Sequence, residues 1–201
     1  MSRYGEPVDA AERWNERYSR GFEAFGGRPA AWLVEHETLL SGDGRALDVA
    51  CGDGRNAAHL ARLGYDVDAI DVSEVAVGAL RAAAPEHGLA LEVDDPRGDR
   101  EPLPAGPYDV IVTMNFLQRD LFGQLRDALA PGGLLVYETL GRSHVEELGH
   151  SFNPDYLLDR GELLRAFEGL EVVDHHEGVA ARPGGPRGVE SIVARLPAAA
   201  G

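Results

Sequence analysis

The residues with the clearest chemical meaning lie within one segment, ALDVACGDGRNAAHLARLGYDVDAIDVS, at positions 46–73. A short apolar strand opens it, and Gly52 and Gly54 then allow the backbone to turn sharply and approach a ligand closely. A helix that begins near Asn56 points its free N–H groups at the same ligand. Asp71 ends the next strand, where its carboxylate can accept hydrogen bonds from both hydroxyls of a ribose. Together these residues predict a nucleoside site at the carboxyl edge of a parallel sheet.

The charged residues near this turn help to decide which nucleoside cofactor would bind there. Gly52, Gly54 and Ala57 match the dinucleotide fingerprint G-x-G-x-x-A, which would favour NAD. Asp48 lies just before the turn, where it can face a cation such as the α-ammonium group of S-adenosylmethionine (SAM). Asp48 and Asp53 would also repel a pyrophosphate, so the charges favour SAM and leave NAD as the alternative. A purely structural alternative is a tight turn between strand and helix with an aspartate as helix cap.

The elements that must position these residues follow from the alternation of apolar and polar segments. Seven strands are predicted, at positions 46–50, 67–71, 89–93, 108–115, 134–140, 170–176 and 189–196. Helices are predicted from Asp9 through Tyr18, from Pro29 through Leu40, from Asn56 to Leu63, after Ser73, from Leu121 to Leu129 and from Glu162 to Phe167. Strands that alternate with helices imply right-handed crossovers and a parallel sheet. The connection between the last two strands contains no helix, so we expect those two strands to pair antiparallel.

The sequence therefore predicts an α/β, Rossmann-like fold. It would have a seven-stranded, mostly parallel sheet with an antiparallel last strand, helices on both faces and a helical N-terminal extension. The length of 201 residues suits a single domain. Within it we expect a helical cap or lid over 1–44, a Rossmann-like core over 45–196 and a tail over 197–201.

Composition and charge restrict the partners. The net charge of −15 argues against a nucleic acid, whose phosphates need a basic surface, and against an anionic membrane. No stretch approaches about 18 apolar residues, and the N-terminus lacks the apolar core of a secretory signal. Cys51 is the only cysteine, which excludes an internal disulfide and fits a reducing cytoplasm. The adjacent His175 and His176 would point to opposite faces of a strand, so no metal site is expected.

Several of these motifs resemble those of class I SAM-dependent methyltransferases. Asp48–Gly54 is similar to the family's first motif, D/E-x-G-x-G-x-G, and Asp71 is similar to its ribose-binding acid. Either Asp94 or Asp95 falls where the family places an acid on the adenine amino group. Two later segments, PYDVIV (107–112) and LAPGGLLVYE (129–138), resemble the motifs around the fourth and fifth strands. Ala50 departs from the family, because it replaces the first glycine of the motif and its methyl group narrows the approach to the cofactor.

A narrower resemblance, to the tellurite-resistance and thiopurine-methyltransferase-like group, covers nearly the whole chain. It rests on W-x-x-R-Y (Trp14, Arg17, Tyr18), CGDGRNAAHLA (51–61), NFLQRDLF (115–122), PGGLLVYETL (131–140) and NPDYLLDRGELLRAF (153–167). The resemblance implies methyl transfer from SAM to a small acceptor by in-line displacement, with S-adenosylhomocysteine (SAH) as product. A soft nucleophile is expected: a thiol, or a selenium or tellurium oxyanion.

Other functions remain open for this sequence. The first alternative is a small-molecule O- or N-methyltransferase of specialised metabolism, and the second is a non-catalytic SAM-binding protein on the same fold. A more distant alternative is an NAD-dependent oxidoreductase. For any of them the partner is expected to be a small molecule, without nucleic acid or membrane, and the chain to be a monomer or a homodimer in the cytoplasm.

The positions around the turn and the resemblance together give a set of candidate site residues. Cofactor contacts are expected from Tyr18, Asp48, Ala50, Cys51, Gly52, Gly54, Arg55, Asn56, Asp71, Val72, Asp94, Asp95 and Asn115. Acceptor contacts are expected from Arg17, Phe116, Arg119 and Tyr137. No catalytic residue is firmly assigned, but His144 and His150 are candidate bases for an oxygen or amine acceptor. A soft acceptor would need no base.

Each of these residues also has a plainer interpretation. Asn115 could cap the end of a strand, and Phe116 could belong to the core. Arg119 could pair with Asp120 or Asp127 instead of an anionic acceptor. The two histidines could be solvated loop residues, and Cys51 is expected to be a small wall beside the cofactor, not a nucleophile.

Overall fold

A computed structural model of the chain describes residues 10–89, 91–94 and 103–198. Its strands form one sheet in the order β3-β2-β1-β4-β5-β7-β6. The strands are β1 (Arg45–Val49), β2 (Asp66–Ile70), β3 (Leu91–Asp94), β4 (Tyr108–Met114), β5 (Leu129–Leu140), β6 (Glu171–Arg182) and β7 (Gly185–Arg195). The first five strands are parallel, whereas β7 runs antiparallel to both β5 and β6. The sheet order reverses at β1, so the carboxyl ends of β1 and β4 flank the crevice where α/β proteins bind ligands.

The helices connect the strands and precede the sheet. They are α1 (Ala10–Ser19), α2 (Ala31–Glu35), α3 (Arg55–Leu63), α4 (Glu74–Ala83), α5 (Phe122–Asp127), α6 (Ser143–Glu146) and α7 (Glu162–Ala166). Short 3-10 turns lie at Glu37–Leu39, Arg119–Leu121 and Pro154–Tyr156. In the described ranges, no helix is both long and apolar enough to pass through a bilayer. The α/β Rossmann-like class is confirmed.

Alternation along the buried strands divides the core into two layers. In β4, Val110 and Val112 belong to the cluster on one face of the sheet, and Ile111 belongs to the cluster on the other. Successive strand residues point to opposite faces, so a strand covered on both sides is apolar at nearly every position. Leu60 of α3 covers the first face, and Phe167, at the end of α7, covers the second. The sheet is therefore held between helices on both sides.

Local signals explain where two site-bearing helices begin and end. The Ser73 side chain accepts the Ala76 N–H at 3.2 Å, which caps α4 as the sequence predicts. Gly64 ends α3 in the left-handed region, with φ of 112°, so the helix stops after Leu63, the residue at which its predicted range ends. The predicted helix through Leu40 is shorter, because α2 ends at Glu35 and a 3-10 turn follows.

Two predicted loops are strand instead. The helix predicted from Leu121 to Leu129 ends at Asp127, and the strand predicted at 134–140 already starts at Leu129. The stretch between the last two strands was expected to be a long loop, yet β6 continues to Arg182 and β7 begins at Gly185. A two-residue turn, Pro183 and Gly184, closes this hairpin, and positive φ at Gly184 makes the reversal possible. Because the hairpin extends this far, Arg187 lies next to the end of β4.

Candidate functional site

The turn after β1 contains the backbone conformations that its glycines were expected to supply. Gly52 and Gly54 have φ of 56° and 76°, and Ala50 adopts 57°. A Cβ at Gly52 would lie 2.5 Å from the Tyr18 hydroxyl, and one at Gly54 would lie 2.8 Å from the Phe25 ring. Side chains therefore do not fit at either glycine. Ala50 holds a left-handed conformation that costs an L-residue about 1–2 kcal/mol, which explains why a glycine is favoured there.

Asp48 is a buried carboxylate with an unsatisfied oxygen. It is 1% exposed, and its Oδ2 accepts the Ala57 N–H at 2.9 Å. Its Oδ1 is buried without a hydrogen-bond partner among the described residues. Burial raises the pKa of Asp48 to about 8, with the nearby Asp71 and Asp53 carboxylates adding to the effect. A ligand cation would satisfy this oxygen, so the site fits the ammonium group of SAM.

Asp71 lies just past the end of β2 and holds the turn in place. Its Oδ2 accepts the Gly52 N–H at 2.8 Å, and its Oδ1 accepts the Ser73 N–H at 2.9 Å. A carboxylate offers about four acceptor positions, so two are left for the hydroxyls of a ribose. Burial raises the pKa of Asp71, while the two backbone N–H groups oppose that rise. The geometry therefore fits a ribose beside Gly52.

The other cofactor candidates near the turn differ in what they contact. Cys51 is buried, and burial raises its pKa well above the usual value, so it stays a neutral thiol wall. The Arg55 N–H donates to Asp53, and Val72 is half-buried. Asp94 ends β3 in register with Ile70, which places its backbone at the same sheet edge as Asp71. Asp95 lies outside the described residues.

Asn56 is a correction to the predicted cofactor contacts. Its side chain is 4% exposed, and its Oδ1 accepts the Ala30 N–H at 2.9 Å. In addition, the Phe25 N–H donates to the Asp53 carbonyl at 2.7 Å. Asn56 therefore fastens the N-terminal segment to the glycine turn, because its amide oxygen faces the chain and not a ligand.

The N-terminal helix is fastened to the sheet edge by a residue that the sequence reasoning missed. The Asn15 Oδ1 accepts the Ser73 hydroxyl at 2.7 Å and the Val75 N–H at 3.2 Å. On the neighbouring face of α1, Trp14 stacks with Tyr18 at a centroid distance of 6.0 Å. Burial raises the pKa of Tyr18, so its hydroxyl stays neutral above Gly52. The helix thus covers the turn.

A second group of polar residues meets at the carboxyl ends of β4 and β5. Asn115 has a positive φ of 56°. Its side-chain oxygen accepts a hydrogen bond from the Arg187 guanidinium at 3.0 Å. The Gly188 N–H donates to His144 Nδ1 at 3.3 Å, and His144 Nε2 lies 3.2 Å from His150 Nδ1. Asn115, His144 and His150 thus lie close to one another, with Arg187 and Gly188 between them. Arg187 was missed.

The direction of these hydrogen bonds fixes how the two histidines are protonated. Because Gly188 donates to Nδ1, the proton of neutral His144 lies on Nε2 and is donated to His150 Nδ1. His150 then carries its own proton on Nε2. Burial lowers the pKa of His144, and His150 and Arg187 lower it further. In this arrangement the pair offers a hydrogen-bond donor, not a free base.

The predicted acceptor residues Arg119 and Tyr137 need correction. Arg119 does not pair with Asp120 or Asp127: its Nε and Nη2 donate to the Glu162 carboxylate at 2.6 and 2.9 Å. Its guanidinium also donates to the carbonyls of Asp155 and Leu157, at 3.0 Å each. Arg119 is therefore bound within the chain, where it braces the loop after α6.

Tyr137 and Phe116 form a contact of their own. Tyr137 is 1% exposed, and its hydroxyl donates to the Phe116 carbonyl at 2.7 Å. The ring is thus a core residue and not a wall of the acceptor site. Phe116 is partly buried and packs against the same core cluster. Arg17, the fourth candidate, lies over the Trp14 ring at 5.1 Å.

Comparisons with known proteins agree with this geometry. Residues 46–133 match the family described as "Methyltransferase domain". The "Ubiquinone biosynthesis O-methyltransferase" of Caulobacter sp. (strain K31) is 32% identical over 160 residues, which are 69% of this chain and 64% of the relative. The protein of the same name from Burkholderia multivorans (strain ATCC 17616 / 249) is 32% identical over 122 residues, 56% of this chain and 50% of that one. The chain thus spans about half to two thirds of the length of these curated relatives.

Solved structures share the fold at lower identity. TehB from Haemophilus influenzae has a TM-score of 0.72 at 18% identity, covering 90% of this chain and 66% of that chain. The cyclase SpnF has a TM-score of 0.69 at 19% identity, covering 98% of this chain and all of that one (100%). At such identities the likeness concerns the fold and not the reaction. The sequence match, however, runs through the glycine turn and β4, so residues 46–133 are similar to a methyltransferase domain in sequence as well as in fold.

Proposed function

We propose that this chain transfers the methyl group of SAM to an oxygen atom of a small molecule. The observation that carries the proposal is the pair of buried aspartates, Asp48 and Asp71, at the turn after β1. One offers an unsatisfied oxygen to a cation, and the other offers acceptor positions to a ribose. The choice of oxygen is supported by the curated relatives, which are named O-methyltransferases.

Two of the residues that would hold the cofactor, Asp48 and Asp71, are already in place. Asp48 would hold the ammonium group, Asp71 the ribose, and Asp94 or Asp95 the adenine amino group. The helix α1 would close the site from above, since Tyr18 lies over Gly52. When bound, SAM supplies a methyl group on a positively charged sulfur, and transfer forms the oxygen–carbon bond as the carbon–sulfur electron pair returns to sulfur. The protein contributes placement and the exclusion of water, together worth about 7–11 kcal/mol in oriented reactions.

The acceptor would enter beside Asn115, where Arg187 and the histidine pair meet. Because His150 presents an N–H and His144 is neutral, these residues stabilise negative charge on the acceptor more readily than they remove a proton. An acceptor oxygen that is ionised near neutral pH, such as that of an acidic phenol or enol, needs no base. For a hydroxyl of higher pKa, His150 would have to leave His144 before it could take the proton.

A second candidate is methyl transfer to a soft nucleophile: a thiol, or a selenium or tellurium oxyanion. It is favoured by the same donor-rich acceptor side, since such nucleophiles also react without a base. The likeness to TehB, at 18% identity, extends only to the fold and does not decide between the two candidates.

Turnover with labelled cofactor tests the proposal. The protein is incubated with SAM carrying a trideuterated methyl group and with a panel of phenols, enols, thiols, selenite and tellurite, and products are identified by mass spectrometry. The proposal expects the label on a phenol or enol oxygen. Label only on sulfur, selenium or tellurium would favour the second candidate. SAM binding without label transfer to any panel member would favour a non-catalytic SAM-binding protein.

A further inference from the structure

An arginine face is formed by Arg13 and Arg17 of helix α1 and by Arg20, which directly follows the helix. The three residues recur at helical spacing and line, with Glu16, an open hollow of about 330 Å³. The hollow is open to solvent, and these side chains alone form its walls. It is therefore a surface on which an anionic group of a ligand can contact more than one arginine.

The charges on this face are only partly compensated. Arg20 pairs with Glu16 at 2.6 Å. Arg13 and Arg17 instead lie over aromatic rings, and within residues 10–89, 91–94 and 103–198 neither forms an ion pair with a carboxylate. In a chain of net charge −15, two arginines that lie over aromatic rings and form no ion pair among the described residues favour an anionic ligand.

The arginine face turns toward the acceptor side of the sheet. The Arg13 guanidinium lies 5.7 Å from the centre of the Tyr156 ring. Tyr156 belongs to the same loop as Phe152, whose ring packs edge-on against His144 at 5.9 Å. Both aromatic side chains remain open to solvent, with Tyr156 44% and Phe152 43% exposed. Exposed aromatic side chains beside a basic hollow suit a ligand that is apolar at one end and anionic at the other.

The loop is braced in this position. The guanidinium of Arg119 donates to the carbonyls of Asp155 and Leu157, on either side of Tyr156. The Asn153 side chain accepts the Asp155 N–H at 3.1 Å. The Tyr156 ring is thus a fixed surface across from α1, and ligand binding need not order this loop.

We infer that the methyl acceptor is an aromatic or similarly flat molecule bearing a carboxylate, sulfate or phosphate, held by Arg13 and Arg17 and packed on Tyr156 and Phe152. The inference rests on the proposed function, whose acceptor it describes. The anionic group would lie in the hollow, and the acceptor atom would point inward to Asn115 and Arg187. A neutral molecule of the same shape would lose the contacts to both arginines.

Paired probes test the inference. The SAH-loaded protein is titrated with 3,4-dihydroxybenzoate and with 3,4-dihydroxybenzyl alcohol, and phenyl phosphate and phenyl sulfate are titrated against phenol. We expect at least one anionic probe to bind about tenfold more tightly than its neutral partner. The double variant Arg13→Gln/Arg17→Gln should reduce this ratio to about one and leave the SAH affinity unchanged. Arg126→Gln, on helix α5, removes an arginine that pairs with Asp127; it is the matched control and should keep the wild-type ratio.

The possible outcomes separate this inference from the proposed function. Equal binding of anionic and neutral probes, no binding of any anionic probe to the SAH-loaded protein, or a preference that survives in the double variant would each overturn the inference. Failure of SAH itself to bind would contradict the proposed function instead. The double variant's thermal unfolding curve shows whether its fold is intact. If it does not fold, single Arg13→Lys and Arg17→Lys variants replace it; each keeps the charge without the planar fork and should lose part of the preference.

Discussion

The side-chain oxygen of Asn15 accepts a hydrogen bond from the hydroxyl of Ser73, at 2.7 Å. Ser73 caps α4 and follows Asp71 by two residues, so this contact ties the N-terminal helix to the strand end that would hold a ribose. The two residues are 58 positions apart in the sequence. The cap over the site is therefore fastened to one of the site's own elements.

Replacing Asn15 should loosen this fastening. We expect Asn15→Ala to weaken SAM binding by about three- to tenfold, because Ser73 and Val75 lose an acceptor worth about 1 kcal/mol and α1 is freed. Isothermal titration with SAM measures the change. Asn15→Asp keeps the acceptor oxygen at the start of α4 and should bind SAM like the wild type. Equal affinities for all three proteins would show that α1 does not contribute to cofactor binding.

The strained backbone at Ala50 gives a stability prediction. Ala50→Gly should raise the free energy of unfolding by about 0.5–1 kcal/mol, because the gain from removing a left-handed Cβ exceeds the entropy cost of glycine. Urea denaturation measures this. Ala58→Gly, inside α3, is the control and should lower the free energy of unfolding. If Ala50→Gly lowered the free energy of unfolding, the left-handed backbone at position 50 would not be strained.

The pKa of Asp48 makes both folding and binding depend on pH. Burial raises this pKa from 3.8 to about 8, so the folded state binds a proton that the unfolded state has released. The stability contributed by protonated Asp48 is full below about pH 3.8 and is lost as the pH rises through about 8. Urea denaturation between pH 6 and 9 should show this decrease, and Asp48→Asn should flatten it.

Cofactor binding should favour the ionised form of Asp48 instead of the protonated form. A cation beside Asp48 favours the ionised carboxylate, so SAM should displace close to one proton at about pH 7. Titration calorimetry in two buffers of different ionisation enthalpy counts the protons released. Asp48→Asn should release none and bind SAM at least about tenfold more weakly. Proton uptake by the wild type on binding would contradict the assignment of Asp48 to the ammonium group.

The corrected role of Arg119 predicts a structural defect. Arg119→Ala should lower the free energy of unfolding by about 1–3 kcal/mol, because two carbonyls and the half-buried Glu162 lose their donor. Arg126→Ala, which breaks only an exposed pair with Asp127, should change it by less than about 0.5 kcal/mol. Chemical denaturation of both variants provides the comparison. If Arg119→Ala lowered the free energy of unfolding as little as Arg126→Ala, Arg119 would not brace the fold and would be available to contact the methyl acceptor.

Local sequence signals predicted the part of the site that is contiguous in the chain. The turn with Gly52 and Gly54, and Asp48 and Asp71 on either side of it, can be recognised from spacing alone, because the elements that hold them are consecutive. The order of elements also predicts the α/β class. Neither the site at the turn nor the α/β class depends on a contact between residues that lie far apart in the sequence.

Residues whose partners lie far along the chain could not be found in this way. Arg187 meets Asn115 across 72 positions, and Arg119 meets Glu162 across 43. For Arg187 the only local signal was the turn at Pro183, which is typical of a hairpin, but the flanking segment lacks the alternation of apolar residues that marks a strand. Asn56 was predicted to contact the cofactor because it lies beside the turn. The sequence gives no sign that its side-chain oxygen accepts the Ala30 N–H.

The most direct test of the account is calorimetric titration of the wild type, Asp71→Asn and Asp66→Asn with SAH and with NAD. Asp66 is exposed at the start of β2, far from the turn, and serves as the matched control. We expect SAH to bind to the wild type and to Asp66→Asn, Asp71→Asn to lose at least about tenfold in affinity, and NAD not to bind. Binding of NAD without SAH, or SAH binding that is indifferent to Asp71, would contradict it.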